Sequence, residues 1–253
     1  MNGAAGERAV VDGVTTRWFS KSLRRSLSVS RWGHWGTPVL LFPTAGGDSE
    51  EIERFHLIGA VEPLITAGRV KVYSCDSVPG RTWLEGLHSE DQSAWIQNQY
   101  DRFVSEEMVP LIRRDCGGER IEIVTAGASL GAFHAVASLC RHPDLFRSAL
   151  CMSGTFDPER FVRHGVPLDL YYSSPMHFLP LHPEDDHLAR LRTRYVLLAT
   201  GEGAWENPEN SWRMANVLGS RGVPNRVEAW GADWKHDWET WRAMLPQYLE
   251  ELL

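Results

Sequence analysis

The sequence predicts an α/β fold in which a mainly parallel sheet is covered by helices on both faces. Short apolar runs, typical of strands buried on both sides, alternate with longer segments of helical periodicity. The length of 253 residues suits one such domain, which we predict to span 1–253 without an internal repeat or linker. The polar turns that carry candidate chemistry each follow the end of a predicted strand, so they are expected to meet at one edge of the sheet.

An antiparallel hairpin opens the predicted sheet, after a tail that ends at about Asp12. Its strands are predicted at 14–20 and 24–31, and later strands at 38–42, 70–75, 121–124, 148–152, 195–200 and 226–230. Helices are predicted at 50–67, 92–116, from about 132 to 141, 207–220 and 237–253, with Pro110 expected to kink or split the second of them. Residues 155–192 lose periodicity and are predicted to be a lid-like insertion over the carboxyl ends of the strands.

Composition excludes several classes of partner. The net charge of −7 and the lack of a basic run argue against nucleic acid. Neither a signal-peptide pattern nor a run of 18 apolar residues occurs, so we expect no membrane contact. The four cysteines are scattered without a C-x-x-C pair, which fits a reduced, cytoplasmic protein. The sequence does not indicate an oligomeric state.

The strand at 121–124 leads into Gly127-Ala128-Ser129-Leu130-Gly131, and an Ala-rich helix follows. G-x-S-x-G between a strand and a helix is the context of a nucleophile elbow, a tight turn that exposes a reactive serine. Glycine suits both outer positions because a side chain there would strike the strand or the helix. The Leu130 N–H would then point at the reacting carbonyl oxygen. The simpler alternative is a serine that only caps the helix.

His236 lies between the last predicted strand and the closing helix, with Asp237 placed to cap that helix. Acyl transfer by Ser129 needs a base in hydrogen-bond reach, and the chain order serine, acid, histidine places His236 in that role. The alternative is a histidine that merely packs among the neighbouring tryptophans.

The carboxylate that would orient His236 is less clearly indicated by the sequence. We predict Glu206, because the strand at 195–200 ends beside the site and the next helix begins after Glu206. Glu202 and Asp157 are the alternatives, each following a predicted strand. Ala45, in the turn from Thr44 to Gly47, is predicted to supply the second oxyanion N–H, although a plain Gly-Gly turn would look the same.

Aromatic and polar residues near these turns are predicted to line the substrate pocket. They are Thr44, Trp83, Tyr172, Phe178 and Trp205. The two histidines of His182–His187 lack a recognised metal-ligand spacing, and no dinucleotide or Walker glycine pattern occurs, so we predict neither a metal nor a cofactor.

Six segments between 42 and 241 carry a family resemblance: F-P-T-A-G-G-D, C-D-S-V, G-A-S-L-G, M-S-G-T-F-D, G-E-G-A-W-E-N-P and H-D-W-E-T-W. In this order they resemble the esterase branch of the α/β-hydrolase superfamily, which includes bacterial carboxylesterases, feruloyl esterases, S-formylglutathione hydrolases and mycolyltransferases. The resemblance implies Ser129 as nucleophile, His236 as base, and Leu130 and Ala45 as oxyanion donors. One position departs from it: many hydrolases have aspartate where this chain has Ala204.

These observations predict a serine hydrolase that cleaves small-molecule carboxylic esters through an acyl-enzyme. Acyl transfer to an alcohol or amine, and amide or thioester hydrolysis, would use the same residues. A non-catalytic binding module with the same fold is a further alternative. The presence of both Ser129 and His236 at the expected positions argues against it.

Overall fold

Eight strands form one sheet in this computed structural model, which describes residues 11–253. The strands are β1 (Val14–Ser20), β2 (Arg25–Trp32), β3 (Thr37–Phe42), β4 (Val70–Cys75), β5 (Ile123–Ala128), β6 (Phe146–Met152), β7 (Tyr195–Thr200) and β8 (Asn225–Ala229). Their order is β1-β2-β4-β3-β5-β6-β7-β8. β2 pairs antiparallel with β1 and β4, and every other pairing is parallel. The predicted fold class, with its antiparallel N-terminal edge, is therefore confirmed.

Helices cover both faces of the sheet. They are α1 (Glu51–Arg54), α2 (Leu57–Thr66), α3 (Val78–Glu85), α4 (Glu90–Phe103), α5 (Val109–Asp115), α6 (Leu130–Arg141), α7 (Leu168–Ser173), α8 (Pro175–Phe178), α9 (Asp186–Leu191), α10 (Pro208–Ser220) and α11 (Trp238–Leu252). None of the helices within residues 11–253 has the length and apolar character needed to cross a bilayer.

Two apolar cores result from the alternation of side chains along the strands. In β3, Leu40 and Phe42 face a core formed mainly with α4, α5, α6 and α10. Val39 and Leu41 face the opposite core, where α2 and α11 pack. Burial on both faces explains why the parallel strands appear in the sequence as continuous apolar runs.

Several predicted elements differ in detail. The helix predicted at 50–67 is two helices, because His56 has a left-handed φ of 64° that ends α1. The helix predicted at 92–116 begins earlier, where the Ser89 hydroxyl caps α4, and passes through a π-helical stretch at Val104–Met108 into α5. That irregularity directly precedes Pro110, whose ring lacks the N–H that a regular turn would need. The sequence analysis missed α3.

The connection between β6 and β7 contains the segment predicted as an insertion. It holds α7, α8, α9 and two short 3₁₀ helices, Pro158–Phe161 and Leu179–Leu181. α7 packs against α4, and α8 packs against α6 and α10. Its function as a lid stays a prediction. The tail predicted before Asp12 lies almost wholly outside the described residues.

His134 of α6 is a buried histidine. Its ring packs against Phe42, Tyr100 and Phe133, and its Nδ1 lies 3.4 Å from Gln97 Nε2. Burial lowers the pKa of His134 to about 3. Because the unfolded chain takes up this proton near pH 6.5 and the folded chain does not, stability due to neutral His134 is lost as the pH falls below 6.5.

We therefore expect the double variant His134→Phe/Gln97→Leu to resist acid better than the wild type. Between pH 7 and pH 5 the free energy of unfolding should fall by about 2 kcal/mol less in the variant. Urea unfolding at both pH values measures this difference, with His88→Phe as the control at an exposed histidine. Equal pH dependence in the double variant and the wild type would contradict it.

Candidate active site

Ser129 occupies a strained turn between β5 and α6. Its backbone angles are φ 56° and ψ −119°, a conformation that side-chain-bearing residues rarely adopt. A Cβ on Gly127 would lie 2.3 Å from the Gly131 carbonyl, and a Cβ on Gly131 would lie 2.5 Å from the Phe42 carbonyl oxygen. Both positions therefore require glycine for this turn to form.

Backbone hydrogen bonds hold the strained serine against the neighbouring strand. The Ser129 N–H donates to the Met152 carbonyl oxygen over 2.9 Å, and the Thr155 N–H donates to the Ser129 carbonyl oxygen over 3.1 Å. These contacts tie the turn to the end of β6, so the next residue there, Ser153, is held close to Ser129.

Leu130 is the first residue of α6, where the helix dipole favours negative charge. The turn that follows β3 lies beside it, because Ala45 packs on the apolar cluster of Leu130, Phe133 and Ala137. The two predicted oxyanion donors, the N–H groups of Leu130 and Ala45, are thus on adjoining segments.

Glu206 is the carboxylate that the structure brings to His236. Its Oε2 lies 3.5 Å from His236 Nδ1, within ion-pair range although longer than a typical hydrogen bond of about 2.9 Å. The Glu206 side chain is only 2% exposed, whereas that of His236 is 24% exposed. A buried carboxylate below a partly open imidazole is the arrangement that leaves the second ring nitrogen free for chemistry.

Ser153 and Trp241 extend this contact further, and the sequence analysis missed both. The Trp241 indole N–H donates to Ser153 Oγ over 2.9 Å, and Ser153 Oγ donates to Glu206 Oε1. The Trp241 ring also meets the His236 ring edge-on, with centroids 5.1 Å apart. The only local signal in the sequence was the position of Ser153 directly after a predicted strand. In the structure Ser153 has a left-handed φ of 47°.

The loops after β7 and β8 fit closely, and glycines make that fit possible. The His236 N–H donates to the Ala204 carbonyl oxygen over 3.0 Å, and the Gly203 N–H donates to the Trp234 carbonyl oxygen over 2.8 Å. A Cβ on Gly201 would lie 2.1 Å from that same Trp234 oxygen. The acid and the histidine are therefore positioned by backbone contacts between their own loops.

The two alternative acids lie elsewhere. Asp157 forms an ion pair of 3.0 Å with Arg213 and caps the short 3₁₀ helix that follows it. Glu202 is exposed, and its backbone N–H donates to Gly231. Of the three predicted candidates, only Glu206 is placed in contact with His236 by the structure.

The predicted pocket residues separate into two groups. Trp83 stacks on Phe161, with centroids 5.6 Å apart, and Phe161 packs on the same cluster as Ala45. Thr44 lies in the turn itself. Trp205, 92% exposed and strained at φ 67°, directly precedes Glu206. These three residues border the candidate site.

Tyr172 and Phe178 are not placed with them. Both line a separate cavity of about 480 Å³ with Arg141 and His142, at the far end of α6. Twelve residues of helix separate that end from Ser129, a rise of roughly 18 Å. The expectation that these two residues line the ester pocket does not fit this placement, because their cavity lies a helix length away from Ser129.

A family model described as "Putative esterase" matches residues 68–252. The chain belongs to this esterase family. The protein is accordingly a carboxylic ester hydrolase, and its fold is the α/β-hydrolase fold. No curated protein matches it in sequence.

Solved structures resemble this esterase along nearly its whole length. A ferulic acid esterase is 19% identical with a TM-score of 0.74, covering 95% of this chain and 97% of that chain. An S-formylglutathione hydrolase from Agrobacterium tumefaciens is 14% identical with a TM-score of 0.68, covering 95% and 94%. A fluorophosphonate-binding serine hydrolase of Staphylococcus aureus is 10% identical with a TM-score of 0.66, covering 96% and 98%. At these identities the likeness establishes the fold alone.

Proposed function

We propose that this esterase cleaves small-molecule esters through an acyl-enzyme on Ser129, with His236 as base and Glu206 as acid. The observation that supports this most is the chain of contacts along the sheet edge. The Ser129 N–H donates to the Met152 carbonyl oxygen, and the hydroxyl of Ser153, the residue after Met152, donates to Glu206 Oε1. Glu206 Oε2 in turn lies 3.5 Å from His236 Nδ1. Each residue comes from a different strand end, as a catalytic triad in this fold requires.

The proposed reaction has two halves. Ser129 Oγ attacks the ester carbonyl carbon as His236 takes its proton, and the carbonyl electron pair moves to oxygen, where the N–H groups of Leu130 and Ala45 stabilise it. The intermediate collapses, the C–O bond to the alcohol breaks, and His236 returns the proton to the departing alcohol oxygen. Water, activated by His236, then cleaves the acyl-enzyme by the same steps. Glu206 keeps the tautomer of His236 fixed and stabilises its protonated form.

A fluorophosphonate probe tests the nucleophile directly. We expect one adduct on the wild-type protein in intact mass spectrometry, and none on Ser129→Ala. Labelling that persists in the variant would overturn the assignment of Ser129. Hydrolysis of p-nitrophenyl esters of increasing chain length, with product analysis in the presence of added alcohols, separates hydrolysis from acyl transfer.

Trp83 and Phe161 are proposed to form the acyl-side wall of the site, because they border the turn that holds Ala45. Trp83→Ala should change the ratio of kcat/KM between long and short acyl esters by about 10-fold, since pocket contacts of this size discriminate by 1–3 kcal/mol. Tyr172→Ala is the matched control, being an aromatic at the far end of α6. A changed ratio in Tyr172→Ala alone would place the wall in the cavity at the far end of α6 instead.

A further inference from the structure

Glu51 is a buried carboxylate beside the candidate site that the proposed reaction does not use. It is the first residue of α1 and is 8% exposed. Its Oε2 accepts from the Thr44 N–H over 2.7 Å, and its Oε1 accepts from the Thr44 hydroxyl over 2.9 Å. Burial raises the pKa of Glu51, while the two hydrogen bonds from Thr44 act in the opposite direction. One carboxylate therefore takes both donors of the residue directly before Ala45.

The turn from Thr44 to Gly47 packs closely against the Glu51 carboxylate. A Cβ on Gly47 would lie 2.4 Å from Glu51 Oε2, so a side chain at position 47 would displace the carboxylate or the turn. The Gly47 N–H donates to the Thr44 carbonyl oxygen over 3.2 Å and closes the turn. Thr44 and Gly47, at the two ends of the turn, thus both pack against Glu51.

The opposite side of the turn is held by the start of α3. The Ser77 N–H donates to the Gly47 carbonyl oxygen over 2.9 Å. A Cβ on Gly80 would lie 2.9 Å from the Gly46 nitrogen and 3.0 Å from the Ala45 Cα. The peptide groups around Ala45 are therefore confined between Glu51 on one side and α3 on the other.

We propose that Glu51 is a positioning residue that fixes the direction of the Ala45 N–H, the second oxyanion donor. The proposal rests on the proposed function, since it assigns a role within that oxyanion hole. Donors fixed before the reaction need no reorganisation when charge develops on the substrate oxygen, and losing one donor costs about 10²–10³ in kcat. With its own N–H and hydroxyl both bound to Glu51, Thr44 holds the following peptide in one orientation. Glu51 itself does not touch substrate.

Glu51→Gln keeps the shape of the side chain and one acceptor oxygen, but its amide nitrogen only donates, so the Thr44 hydroxyl must turn from donor to acceptor and the charge-assisted hydrogen bonds to the carboxylate are lost. We expect kcat to fall by about 10-fold or more, approaching the loss of a donor, with KM little changed. Thr44→Val removes the hydroxyl alone and should act in the same direction, whereas Thr44→Ser keeps the hydroxyl and should restore most of the kcat that Thr44→Val loses. Glu50→Gln is the control at the adjacent, exposed carboxylate, which accepts from Thr15.

A readout specific to the oxyanion is binding of an alkyl trifluoromethyl ketone. Ser129 Oγ adds to its carbonyl carbon and gives a proton to His236, and the hemiketal oxygen takes the negative charge. The Ki should rise in Glu51→Gln and Thr44→Val by the same factor as kcat/KM falls. A wild-type Ki in both variants would overturn the proposal. Equal losses of kcat in Thr44→Val and Thr44→Ser would overturn it too. A wild-type protein that neither hydrolyses esters nor takes the fluorophosphonate would instead overturn the proposed function.

Discussion

Replacing Ser129 by alanine is expected to lower kcat for p-nitrophenyl ester hydrolysis by at least about 10⁴-fold. His236→Ala should cost about as much, and the double variant little more than either single one. In the proposed mechanism the two residues act as one unit, because without the base the serine keeps its proton, and without the serine the base has no proton to take. Residual catalysis would come from the oxyanion donors and from binding alone.

Single and double variants measured against His88→Ala, an exposed histidine elsewhere on the chain, test this non-additivity. Residual activity should be titrated with a fluorophosphonate, because a trace of contaminating wild-type enzyme could otherwise account for the activity measured in a variant. Losses that multiply in the double variant would mean that Ser129 and His236 act independently, which the proposed mechanism does not allow.

Much of the fold could be predicted because its signals are local. Four consecutive buried residues in β3, Val39 to Phe42, reach both cores and leave an unbroken apolar run in the sequence. The G-x-S-x-G turn was equally visible as a local pattern between a strand and a helix, although only Gly127 is constrained within its own segment, by Gly131, whereas Gly131 is constrained by the Phe42 carbonyl of β3. Features whose determining contacts lie within about ten residues of one another can therefore be predicted from the sequence.

Contacts between distant segments could not be predicted in the same way. Ser153 lies 53 positions from Glu206 and 88 from Trp241, and no local pattern links them. The placement of Tyr172 and Phe178 depends on how α7 and α8 pack against α4 and α6, which composition does not determine. Glu51 lies inside the helix predicted at 50–67, and no local pattern distinguishes it from the exposed Glu50 and Glu53 beside it.

Glu206→Gln is expected to lower kcat by up to about 10⁴-fold, with KM and thermal stability little changed. An amide at this position cannot stabilise the imidazolium, and its N–H₂ group can present a donor to His236 Nδ1, which selects the wrong tautomer. The burial of the Glu206 side chain, which is 2% exposed, strengthens this effect because little water is there to replace the lost charge. The Ser153 hydroxyl can still bond to the amide oxygen, so the fold around the site should persist.

The matched controls are Glu202→Gln and Asp157→Asn, each the same loss of charge on a neighbouring loop. Glu202 is exposed, so its variant should keep kcat within a few-fold of wild type. Asp157→Asn breaks the ion pair with Arg213 and weakens a helix cap, so its cost should appear as a lower melting temperature with kcat largely preserved. Comparing kcat and melting temperature across the three variants decides the acid. If Glu206→Gln stayed within a few-fold of wild type while one of the others collapsed, the acid would be the residue that collapsed, and the Glu206–His236 contact would be structural only.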